Sequence, residues 1–364
     1  DIHIEPSYND IRVRFRIDGD LKEIMVLPKS NLSAIVTRVK IIGKMDIAEK
    51  RIPQDGRVEM RFNENEIDLR ISSLPTVYGE KIVLRILDKS NFNFTKDGLG
   101  FSKANLEKLD KMIAQPYGMF LVTGPTGSGK TTTLYTVLRE LNVQTKNVIT
   151  VEDPVEYKLK GINQVQVNTK AGLTFASGLR SILRQDPDTI MIGEIRDSET
   201  AEIAVRAAIT GHLVLSTLHT NDSPSTIARL IDMGLEPYLV SSAIIGIISQ
   251  RLVKTLCPKC KEEYQASDSE KRIMGINGTE SAKLYKAVGC NSCNKGYRGR
   301  ASVHEVMLVN ENIRRLINKG ASTDDIRKTA LEDGMTTLLQ SAVALALKGE
   351  TSFEEIMRAG YTLG

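Results

Sequence analysis

The sequence predicts an α/β protein centred on a parallel-rich sheet with a phosphate-binding loop. A small α+β domain precedes this core, and a cysteine-bearing module and helices follow it. Three observations carry the prediction. Gly124-Pro125-Thr126-Gly127-Ser128-Gly129-Lys130-Thr131-Thr132-Thr133 has Gly-x4-Gly-Lys-Thr spacing, fed by the apolar run Met119 to Val122 and left by a helical run to about Leu141. Beyond it, short buried-strand runs alternate with helical segments, the pattern of a mainly parallel sheet covered on both faces. Before it, apolar residues recur at every second position instead.

The chain opens at Asp1, without a methionine and inside a strand-forming segment, and reads as a fragment of a longer protein. Ile11, Val13, Phe15 and Ile17 alternate with Arg12, Arg14 and Arg16, so one face meets a core and the other is basic. Asp18-Gly19 turns this strand into a hairpin. From Asn31 the period becomes helical, with Leu32, Ile35, Val36, Val39 and Ile42 on one side and Arg38, Lys40 and Lys44 on the other. Period two returns from Arg57 to Phe62 and, past Asn63-Glu64-Asn65, at Ile67, Leu69 and Ile71 and from Lys81 to Leu87. Residues 1–90 therefore read as one α+β domain. Arg70 and Arg85 fall on the polar faces of their strands, where a solvated surface is the simplest account.

Residues 91–102, polar and holding Gly98 and Gly100, read as a linker. A nucleotide-binding core spans 103–256 and starts with a short amphipathic helix through Leu106, Leu109, Met112 and Ile113. In the loop, glycines let successive N–H groups point inward while the following helix adds its positive end, a shape suited to two or three phosphates. Lys130 offers a cation to the β and γ phosphates and Thr131 a hydroxyl to Mg²⁺. Val148 to Val151 ends in Glu152-Asp153-Pro154-Val155-Glu156, Thr189 to Ile192 in Gly193-Glu194, and Leu213 to Thr217 is flanked by His212 and His219. Parallel strands bind ligands at their C-terminal ends, so Glu152, Glu194 and His219 are delivered toward the phosphates. Leu239 to Ile248, about ten residues where a membrane span needs about twenty, reads as a buried helix.

All four cysteines fall in residues 257–300, as Cys257-x2-Cys260 and Cys290-x2-Cys293, with 29 residues between the hooks. Two such hooks suit one tetrahedral Zn²⁺ with no open position, so the metal would hold a fold and not catalyse. Disulfides fit poorly with a nucleotide-using chain in a reducing compartment. Residues 301–364 read as a C-terminal helical region, punctuated by Gly320, Gly334 and Gly349.

The motifs together resemble the ring-forming ATPases of bacterial type II secretion and type IV pilus assembly, over nearly the whole chain. Asp1-Ile2-His3-Ile4-Glu5-Pro6, Arg14-Phe15-Arg16-Ile17-Asp18-Gly19 and Arg51-Ile52-Pro53-Gln54-Asp55-Gly56-Arg57 are similar to that family's second N-terminal domain. Val151 to Glu156 resembles its aspartate box, Gly193-Glu194-Ile195-Arg196-Asp197 its Walker B end, and Thr210 to Thr220 its histidine box. The resemblance implies a RecA-like core behind a PAS-like leading domain. It implies Glu194 as general base or water-orienting group, Glu152 as an aid to Mg²⁺ or water, His219 at the γ-phosphate and His212 in support. It also makes Arg70 and Arg85 the arginines that reach the nucleotide. Gly193 stands where many phosphate-loop enzymes have a Mg²⁺-holding Asp.

The activity so implied is ATP hydrolysis by a homo-hexamer at the cytoplasmic face of the inner membrane. Domain closure would drive a membrane platform protein, through which the ring associates peripherally. The cysteines argue against the family's retraction motors, and pilus assembly is preferred slightly over type II secretion. The rival class is a nucleic-acid translocase. A formal charge of +4 over 364 residues and 5% aromatic content offer it little electrostatic pull and few stacking platforms. With 41% hydrophobic and 26% charged residues, the composition excludes a disordered chain.

Overall fold

The computed structural model describes residues 1–62, 65–88, 95–277 and 280–360. The expected turn at 63–64 and linker residues 91–94 lie outside the described residues. The chain divides after residue 93 into two compact units.

In the first unit the period-two segments become β1 (Ile2–Pro6), β2 (Asp10–Ile17), β3 (Asp20–Pro28), β4 (Gln54–Phe62), β5 (Asn65–Thr76) and β6 (Gly79–Asp88). They form one sheet in the order β3-β2-β1-β6-β5-β4, with every pairing antiparallel. Asp18 and Gly19 both take positive φ in the β2–β3 turn, the backbone a tight hairpin demands. Helix α1 (Leu32–Ile42) closes one face, where Ile4, Ile11, Val36, Val39, Ile71 and Ile82 make the core. Lys40 corrects its expected polar placement. It follows Val36 by four residues and so shares the buried face, where it is 1% exposed and pairs with Glu80 at 2.5 Å. Ser73 donates to the same carboxylate at 2.8 Å.

The second unit opens with α2 (Lys103–Ile113), β7 (Gly118–Thr123), α3 (Lys130–Leu141), β8 (Val148–Glu152) and β9 (Asn163–Gln166). It continues through α4 (Phe175–Ile182), β10 (Thr189–Ile192), α5 (Ser198–Ile209), β11 (Leu213–Leu218), α6 (Ser223–Asp232), α7 (Pro237–Ala243) and β12 (Ile244–Leu256). After β13 (Glu262–Gln265), α8 (Asp268–Met274) and β14 (Lys283–Lys286) comes the long β15 (Tyr297–Leu308). Helices α9 (Glu311–Asn318), α10 (Thr323–Glu332), α11 (Leu338–Leu347) and α12 (Phe353–Gly360) follow. A seven-stranded sheet runs β15-β12-β7-β11-β10-β8-β9, parallel throughout except for β15, which returns antiparallel to β12. β13 and β14 pair separately.

Strands β7, β8, β10 and β11 are buried along their full lengths, which accounts for their unbroken apolar character in the sequence. Two expectations need correcting. Leu239 to Ile248 is not one helix: α7 stops at Ala243, and Ile244-Ile245-Gly246-Ile247-Ile248 opens β12. β-branched side chains lose rotamer freedom on a helix and pack well on a pleated sheet. Residues 301–308, expected in the helical region, are the second half of β15. Among the described residues no helix is long and apolar enough to cross a membrane.

Candidate active site

The order β7-β11-β10-β8 sets four C-terminal strand ends side by side at one sheet edge. From β7 the chain enters the phosphate loop and then α3, whose first residue is Lys130. Gly124 is obligatory: at φ +142° a Cβ would stand 2.4 Å from the carbonyl oxygen of Gln250 and 2.7 Å from Ser128 Oγ. Pro125, Thr126, Gly127 and Thr131 are exposed, Gly129, Lys130 and Thr132 half-buried and Ser128 buried. Lys130 Nζ donates to the carbonyls of Gly124 at 2.8 Å and Pro125 at 3.1 Å. Burial lowers its ammonium to about 8; Glu194 works against that shift and Arg251 adds to it.

Glu194, just past β10, is the hub of a charged cluster. His219 Nε2, just past β11, lies 3.4 Å from one carboxylate oxygen, and Arg196 sits 2.5 Å from the other. Arg196 also reaches Asp153 at 3.5 Å. Burial alone would raise the Glu194 carboxyl, but Arg196 and His219 hold it below the usual carboxylate range. It is therefore ionised at neutral pH and suited to orient water, more than to take up a proton. A depression of about 360 Å³ lined by Ile195, Arg196, Leu218, His219 and Arg229 opens beside it.

Glu152 ends β8 at the same edge, yet its side chain turns inward and is 3% exposed. Tyr135 of α3 donates to it, as do Thr150 at 2.5 Å and Gln164 at 3.1 Å. Burial raises its carboxyl, against the pull of those three donors. The carboxylate is thus spent on neutral donors that tie α3 to β8. His212 is a second correction. It precedes β11 and so lies at the opposite edge from the loop, because the two ends of one strand cannot share an edge. Its Nδ1 is 3.0 Å from the Ala207 carbonyl at the end of α5.

In the first unit, register places Arg57, Arg70 and Arg85 directly abreast on β4, β5 and β6. The row lies on the sheet face opposite the core, as the alternation requires. Arg57 pairs with the buried Asp68 at 2.5 Å, and Arg85 with Asp1 at 3.0 Å.

Two residues that sequence reasoning missed stand behind the loop on β12. Gln250, 3% exposed, and Arg251, 6% exposed, are large polar residues that end the apolar first half of β12, the one signal that marked them. Arg251 donates to the carbonyl of Asn221 at 3.1 Å and to its Oδ1 at 3.2 Å, joining the segment after His219 to the sheet.

Apart from this edge, the Sγ atoms of Cys257, Cys260, Cys290 and Cys293 all lie within 4.8 Å of one another, the one such cluster among the described residues. Cys257–Cys290 and Cys260–Cys293 are separated by 4.0 and 3.7 Å. Thiolates about 2.3 Å from a tetrahedral ion stand about 3.8 Å apart, so the set fits a four-sulfur metal site. No pair is bonded as a disulfide.

Residues 1–358 match the family described as Type II/IV secretion system protein. The chain is 51% identical over 360 residues to the type IV pilus assembly ATPase PilB of Thermus thermophilus, covering 98% of this chain and 40% of that protein. It is 49% identical over 360 residues to type II secretion system protein E of Pseudomonas aeruginosa, covering 98% and 71%. Among solved structures it is similar to the pilus retraction motor PilT with bound ADP, at TM-score 0.67 and 27% identity, over 100% of this chain and 93% of that one. The chain thus spans well under half the length of the first relative and about seven-tenths of the second.

Proposed function

This chain belongs to the type II/IV secretion system protein family, and from that premise we propose that it is the motor part of an ATP-hydrolysing ring. The observation that carries the reading is the convergence of Lys130, Glu194 and His219 at one sheet edge, close enough for Glu194 to shift the lysine's proton affinity. In the reading, the RecA-like loop of Gly124 to Thr132 wraps the phosphates, Lys130 meets β and γ, and Thr131 would hold Mg²⁺. Glu194 orients the attacking water, and His219 stands where a γ-phosphate would be felt. Glu152 acts indirectly, fixing α3 through Tyr135. The four cysteines would hold structural Zn²⁺, which supplies a crosslink and no chemistry.

Arg70 and Arg85 belong to the leading PAS-like domain. Arg70 and Arg85 stand directly opposite one another with Arg57 beyond, a concentration of cations, offset in part by Asp68 and Asp1, that suits an arriving polyanion. Closure over the triphosphate would bring that anion to them, and cations arriving in the transition state are worth about 10³ or more in rate. Loss of the γ-phosphate removes the attraction and reopens the cleft, which turns hydrolysis into motion.

Six copies would act on a platform protein at the cytoplasmic face of the inner membrane. Pilus assembly is the first choice and type II secretion the second, and identities of 51% and 49% support both. Replacing Glu194→Gln tests the core of the reading. ATP should still bind within a few-fold while turnover nearly vanishes, and preserved turnover refutes the assignment.

A further inference from the structure

One buried side chain on β12, Gln250, bridges the middle of the phosphate loop and the first turn of α3. Gln250 Nε2 donates to the Ser128 carbonyl at 2.8 Å, and its Oε1 accepts from Thr133 Oγ1, in the first turn of α3, at 2.7 Å. Its own carbonyl fills the space beside Gly124, where a Cβ would come within 2.4 Å. The amide's orientation is fixed, because the Ser128 carbonyl can only accept and must face the NH₂ end.

We propose that Gln250 is a positioning residue for nucleotide binding, holding the loop in the form whose N–H groups face the phosphates. A phosphate loop binds anions through inward-facing N–H groups, so the carbonyl that precedes Gly129 and Lys130 has to be turned away from the bay. Ser128 immediately precedes the Gly129-Lys130 turn, and a flip of its peptide would present an oxygen to the triphosphate. Gln250 takes up that oxygen, and Thr133 keeps the amide from rotating away. A planar group with a donor at one corner and an acceptor at the other does both tasks. Glutamate lacks the donor, and an aliphatic side chain has neither. The cross-strand neighbour of Gln250 on β15 is His304, itself 2% exposed, so no water takes the place of either bond cheaply.

The inference rests on the loop binding ATP, and the test separates the two. Gln250→Met keeps the volume and removes both hydrogen bonds, while Thr133→Val removes only the hydroxyl. Affinity for Mg·ADP by calorimetry and steady-state ATPase kinetics are measured on the full chain, with melting curves to establish folding. Gln250→Met should weaken ADP binding roughly tenfold or more and raise KM for ATP similarly, with kcat at saturation within a few-fold. Thr133→Val should weaken binding a few-fold, and the double variant should be no worse than Gln250→Met, because the hydroxyl acts only through the amide. A folded Gln250→Met protein with unchanged affinity, or additive losses in the double variant, overturns the proposal. Should Gln250→Met not fold, unchanged affinity in Thr133→Val overturns it as well. Failure of the unaltered chain to bind ADP would instead refute the ATPase reading.

Discussion

Acid should find a weak point at His304, and the size of the effect follows from its burial. The imidazole is 2% exposed on β15, stacked on Phe101 with ring centroids 3.7 Å apart, and among the described residues neither ring nitrogen has a hydrogen-bond partner. Burial pushes its pKa down to about 3 from 6.5. The unfolded chain therefore takes up this proton first as pH falls, and the folded state loses stability from about pH 6.5 downward until the buried ring titrates near 3. At about pH 5 the unfolded ring is protonated by roughly 1.5 decades, which amounts to about 2 kcal/mol against folding. His304→Phe keeps a ring against Phe101, gives up no hydrogen bond and cannot take the proton. Melting temperatures compared at about pH 7.5 and about pH 5 should fall further in the unaltered protein than in the variant, by roughly 4–8 °C. Equal losses in the two proteins would show that the ring keeps an ordinary pKa and that its burial is misjudged.

The phosphate-loop lysine makes a prediction at the other end of the scale. Lys130 is cationic below about 8 and neutral above it. Because the triphosphate favours the cation, kcat/KM for ATP should decline above about pH 8, up to tenfold per unit, and a flat profile there would contradict the burial argument. Removing one thiolate, as in Cys260→Ser, should release Zn²⁺ measurable by metal analysis and lower the melting temperature while ADP affinity stays within a few-fold. Metal-free native protein with an unaltered melting curve would refute the structural role.

What could be read from the chain was what depends on neighbours in sequence. The strands β7, β8, β10 and β11 announce themselves because each is a contiguous run buried along its length, and the loop and the start of α3 because their glycines and lysine keep a fixed spacing. The antiparallel strands of the first unit show their alternation for the same local reason. β12 was hidden because Ser241, Ser242 and a run of apolar residues look alike on a helix and in a sheet core, until the β-branched density after Ala243 decides. Short, polar β9 and β13 lack any period to read. At the site, the edge carrying Glu194 and His219 follows from strand order, whereas side-chain direction does not. Glu152 turns inward because Tyr135, Thr150 and Gln164 together offer a better set of donors than solvent does, and those partners come from three elements. Gln250 and His304 were out of reach for a simpler reason: the first meets residues more than a hundred positions earlier, and the second lies on a strand assigned to the C-terminal helical region.

The way β12 and β15 meet has a bearing on how such a chain can be remodelled. Leu256 and Tyr297 are partners on one rung, so everything from 257 to 296, the thiolate cluster included, leaves and rejoins the ladder at the same point. An excursion of that kind can be inserted or excised without altering the registration of any strand. Its interior is less detachable, since Ala266, Met274, Ala282 and Leu284 share a core with Leu338, Ala342 and Ile356. A lineage that discarded the excursion would bare the flank of α11, and the closing helices would have to be resurfaced in the same evolutionary step.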